Sequence, residues 1–182
     1  LPALGSITGG AVLRVDPAAA IPMQYAPGAL TAKVCSGAAI PADAGSSAAT
    51  PAASAQPISL VASDLANPRG MIWNDAGDLF VAQSGTGDDA TSVGPAASVV
   101  QIVNGCPVAV ASGLPSTFDP FRDVLGPEDI TFFEGSLYVL QGSTGSLESM
   151  DPNKPNGIYR VTADGQLELF ADLTTWLNAN PV

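Results

Sequence analysis

The sequence predicts an all-β fold assembled from a repeated four-stranded unit, and three observations carry that prediction. Short runs of β-branched and apolar residues, such as 98–103, alternate with turn clusters such as Asn104-Gly105. Glycine (19) and proline (16) are plentiful, as many short strands joined by turns require. Residues 61–114 and 110–173 carry the same landmarks in the same order. With 182 residues, 46% hydrophobic and 13% charged, the chain is long enough to bury a core and too apolar for a disordered segment.

Residues 1–57 hold one clear strand, 10–16, closed by Asp16-Pro17. A second short strand is expected over 29–35, and 41–57 reads as an Ala/Pro/Ser-rich loop or linker. The first full unit spans 58–114. It opens with a strand at 58–62, and Asn67-Pro68 then forces an extended lead-in to a strand at 71–73. The turn 74–78 places Gly77 where positive φ is needed, and a strand follows at 79–83. After a Gly/Asp/Ser-rich loop come strands at 98–103 and 107–111, joined by Asn104-Gly105, a strong hairpin signal.

The pattern then returns. VAS at 61–63 matches VAS at 110–112, Pro68 matches Pro127, and LFVAQSG at 79–85 matches LYVLQGS at 137–143. Strands at 157–161 and 166–170, joined by Ala163-Asp164-Gly165, complete a second unit over 115–173. Leucines at 65, 114 and 173 mark the joints, 49 and 59 residues apart, and 174–182 is expected to start the next unit. Periods near 50 with four strands per unit are the signature of β-propeller blades, and a lone four-stranded sheet cannot bury both its faces. A sandwich would not need the fixed repeat with its proline marker. About two to three blades are present, whereas a closed ring needs at least about four. Further blades are therefore expected from a missing segment or a partner chain. The strand at 10–16 resembles 157–161, so it reads as the outer strand of a blade whose inner strands lie elsewhere.

The segments LANPRGMIWNDAGDLFVAQSGTG, VVQI, VASGLPS, GPEDITFFEGSLYVLQGSTG and GIYRVTADGQLELFADL, in that order, resemble the ScyD/ScyE family of secreted propeller proteins. That family is named for cyanobacterial scytonemin gene clusters and is widespread in bacteria. The likeness runs from Ile58 to Leu173 and extends to the broader group of six-bladed NHL-type and lactonase-like propellers. The resemblance implies a propeller fold and an exported location. It implies no established reaction and brings no catalytic residues with it.

Charge and composition narrow the chemistry. The net charge is -11, and the six Lys and Arg residues are scattered, so no basic cluster is available for nucleic acid or anionic lipid. With no His, a Ser-His-Asp or Cys-His site cannot be built from this chain. No apolar run approaches the ~20 residues of a membrane helix, and no basic segment leads into an apolar one as in a signal peptide. A chain opening at Leu-Pro-Ala is expected either as a mature form or as a piece of a longer one. Cys35 and Cys106 lack metal-ligand spacing; they pair as a disulfide if the protein is exported, and are otherwise two buried thiols.

Propeller sites lie at the mouth of the central channel, by the loops that lead into the inner strands. Asn67-Pro68-Arg69 aligns with Gly126-Pro127-Glu128, which puts Arg69 and Glu128 at that mouth. Asn67, Glu128 and Asp129 offer oxygens suited to a hard cation such as calcium. The competing expectation is a structural pair of Arg69 with Glu128 or Asp129. Asp88 and Asp89 read as a solvated loop, with a surface calcium as the alternative. Trp73, Phe80, Phe132, Phe133, Tyr138 and Tyr159 are expected between blades. Gly85-Thr86-Gly87 and Gly142-Ser143-Thr144-Gly145 lack the lysine and helix of a phosphate loop. The expectation is an exported, non-catalytic binding or assembly module with no cofactor. The alternatives are a calcium-dependent lactonase-like hydrolase and a structural subunit of an extracellular or cell-envelope assembly.

Overall fold

A computed structural model of the chain describes residues 10–15, 35, 58–87, 97–119, 123–142 and 154–181. Of the strand candidate at 29–35 only Cys35 is among them, and it is not in a strand; the linker 41–57 and the pair Asp88 and Asp89 lie outside these residues. The described residues are mostly strand, in four antiparallel sheets.

β1 (Gly10–Val15) pairs with β2 (Ile58–Leu65) as a two-stranded sheet. β3 (Pro68–Trp73), β4 (Leu79–Gln83), β5 (Ala97–Val103) and β6 (Cys106–Leu114) form the first four-stranded sheet in simple up-and-down order. β7 (Thr117–Phe118) and β8 (Val124–Leu125) make a short hairpin. β9 (Pro127–Phe133), β10 (Ser136–Gln141), β11 (Gly157–Val161) and β12 (Leu167–Asp172) repeat the up-and-down sheet. β3 begins at Pro68 rather than Met71, because proline needs no ladder donor at the first position of an edge strand. β6 runs on to Leu114, past the expected end at residue 111, with register shifts at Ala97/Ser98 and Val99/Val100 of its partner absorbing the extra length. Two hairpins turn on residues with positive φ at both centres: Asn104 (53°) with Gly105 (82°), and Glu134 (49°) with Gly135 (74°).

Where the sequence places the start of a further unit, the structure has helix α1 (Leu173–Ala179). Asp172 caps it: its carboxylate accepts from the Thr175 backbone N–H at 2.8 Å and from the Thr175 hydroxyl at 2.7 Å. Each marker leucine is thus followed by a different connector. Leu65 leads straight into β3, Leu114 into the β7–β8 hairpin, and Leu173 opens α1.

The sheets stack face to face in chain order. One core layer lies between β1–β2 and the first four-stranded sheet, built from Val12, Ala62 and Leu65 against Leu79, Val81 and Val100. The other lies between the two four-stranded sheets, with Phe80, Ala82, Val99 and Ala111 against Ile130, Leu137, Val139 and Tyr159. Strand alternation explains why β4 is buried at every residue. Leu79 and Val81 serve one layer, Phe80 and Ala82 the other. The second joint is tightened by Phe80 and Phe132, whose rings meet edge to face at 5.2 Å. Gly70 lets β3 approach β9. A Cβ there would fall 2.0 Å from Asp129 Oδ1 and 2.6 Å from Asp129 Cα.

Candidate functional site

Two regions of this stack carry functional interest: the starts of the edge strands β3 and β9, and the open face of the second four-stranded sheet.

At the starts of β3 and β9, Asn67, Arg69 and Asp129 are held by hydrogen bonds within and between the neighbouring strands. Asn67 has φ 52°, and its side-chain amide donates to the Gly85 carbonyl at 2.7 Å. Arg69 donates through Nη2 to the Val124 carbonyl at 2.8 Å and through Nε to Ser84 Oγ at 3.3 Å. Buried Ser84 in turn donates to the Pro127 carbonyl at 2.9 Å, so Arg69 and Ser84 tie the start of β3 to the lead-in of β9. Among the described residues no ion pair joins Arg69 to Glu128 or Asp129; the guanidinium donates to a hydroxyl and a carbonyl instead. Asp129 accepts from the Ile130 N–H at 2.9 Å. Glu128 is the unpaired residue of a bulge between the Gln141–Pro127 and Leu140–Asp129 pairs. Among the described residues no group of three or more His, Cys, Asp or Glu side chains is placed to hold a metal ion. The structure therefore brings Asn67, Arg69, Glu128 and Asp129 to neighbouring strand ends as a joint between sheets.

Residues that sequence reading passed over belong to the same joint. Gln83 is buried; its Oε1 accepts from the Ala66 N–H at 2.6 Å and its Nε2 donates to Ser98 Oγ at 3.2 Å. Gln141 holds the equivalent place in the second sheet, and the partners are missing. Ala66 is replaced by Pro115, which has no N–H, and strand register replaces Ser98 by Gly157, which has no hydroxyl. The Gln141 amide instead donates to the Pro115 carbonyl at 3.3 Å, and its Oε1 is buried with no partner among the described residues. The recurrence of Gln in two otherwise apolar strands was the available signal.

The outer face of the second four-stranded sheet is apolar and open. Tyr138 sits between Phe133, 6.4 Å away centroid to centroid, and Phe170, 5.2 Å away. Beside them Asp129, Thr131, Tyr138, Leu140 and Ile158 line a shallow groove of about 150 Å³. Phe170 is 66% exposed and Phe133 60%. One exposed ion pair, Arg160 with Glu168, crosses the same face opposite Tyr138. The Arg160 guanidinium is held above its ordinary pKa by the hydrogen bond it donates to the Glu168 carboxylate and by that carboxylate's charge. Register makes this face the counterpart of a sealed one. Tyr138, Leu140 and Ile158 occupy the positions that Phe80, Ala82 and Val99 hold in the first sheet, and those three are buried in the joint. Trp73, expected between blades, is 59% exposed, and Phe133 and Tyr138 lie on the open face.

The disulfide Cys35–Cys106 is formed, with Cα atoms 5.6 Å apart. It pins residue 35 to the first residue of β6, and it accords with an oxidising compartment. Among the described residues no helix is long and apolar enough to cross a membrane. Compared with family models, curated proteins and solved structures, the chain matches none.

Proposed function

We propose that this chain is an exported binding and assembly module of the β-propeller class, which works by seating further sheets of its own kind. The observation that carries the reading is the open Tyr138 face. In the first four-stranded sheet the equivalent residues are sealed by the next sheet; in the second, Leu140 is 36% and Phe170 66% exposed. Contiguous apolar surface of this kind marks an interaction site. The matching landmarks of 61–114 and 110–173 and the up-and-down order of both sheets support the propeller class. The disulfide supports export. The covering sheets come from further blades of a longer chain or from a partner chain. The test is binding of an apolar fluorescent dye. The wild-type chain is expected to enhance its emission, and Leu140→Lys with Phe170→Lys to abolish most of that gain while leaving the circular dichroism spectrum unchanged. Equal dye binding by both proteins would remove the Tyr138 face from the proposal.

A further inference from the structure

We draw no further inference here: the strongest candidate, the buried cluster of Gln141 and Pro115 at the joint of the second four-stranded sheet, leaves Gln141 Oε1 with no partner among the described residues, but that oxygen is sealed from solvent with no room for a ligand beside it, and the cluster belongs to the joint already described.

Discussion

Gln83 and Gln141 stand at the same point of two sheets and end differently, because one residue on each side of Gln141 has lost its hydrogen-bonding group. A buried acceptor without a partner costs about 1–3 kcal/mol, so the second joint is held with less polar support than the first. Its tightness comes from shape instead, above all at Gly70. Gly70→Ala would drive a Cβ to 2.6 Å from Asp129 Cα, and backbone on an adjacent strand yields little. We expect a loss of about 1–3 kcal/mol in urea-induced unfolding, the range for overpacking a close contact. An unfolding midpoint equal to wild type would mean that β3 and β9 do not approach as described. At this scale the sequence was only partly legible. Arg69, Asn67, Glu128 and Asp129 were readable as strand-end residues from their place in the repeat. That Arg69 turns to Ser84 and Val124 rather than to a carboxylate depends on how the lead-in of β9 folds back, which no spacing reports.

Among the elements, the strands were the most legible, since alternating apolar runs bounded by Asn-Gly, Asp-Gly or Asn-Pro leave few alternatives. The β7–β8 hairpin has two residues per strand and too short a run to show any period. Helix α1 was missed although Asp172 followed by Leu173-Thr174-Thr175 is an N-cap signal, because the repeat argued for another unit at that point. The cap makes a pH prediction. Hydrogen bonds from the Thr175 N–H and hydroxyl hold the Asp172 carboxyl below its ordinary value. Its stabilisation is therefore full above the unfolded-chain value, near pH 4, and is lost as pH falls through the lower folded value. Acidification below about pH 4 is expected to fray α1, seen as loss of protection at the Thr175 amide, and Asp172→Ala should show the same loss at neutral pH. A Thr175 amide indifferent to both changes would show that the cap does not hold the helix.

Across the whole molecule, the stack has a direction. Leu79 and Val81 in one sheet, and Leu137 and Val139 in the next, face the preceding sheet; Phe80 and Ala82, and Tyr138 and Leu140, face the following side. A stack with direction does not close on itself by pairing like faces, and it leaves unlike openings at its two ends. One is the Tyr138 face; at the other, Met71 and Trp73 are exposed. The repeat was legible in sequence because each sheet reuses the same landmarks, but exposure at the ends was not, because the same residue types are buried wherever a neighbour exists. Trp73 and Phe132 make the point: they are equivalent in register, one 59% exposed and the other packed into the core layer. The most direct test of an open-ended stack is sedimentation equilibrium of the 182-residue chain with its disulfide intact. The expected result is a mass above 18.2 kDa that rises with concentration and falls back to 18.2 kDa with Leu140→Lys and Phe170→Lys. A stable 18.2 kDa monomer at every concentration, unaffected by those changes, would contradict it.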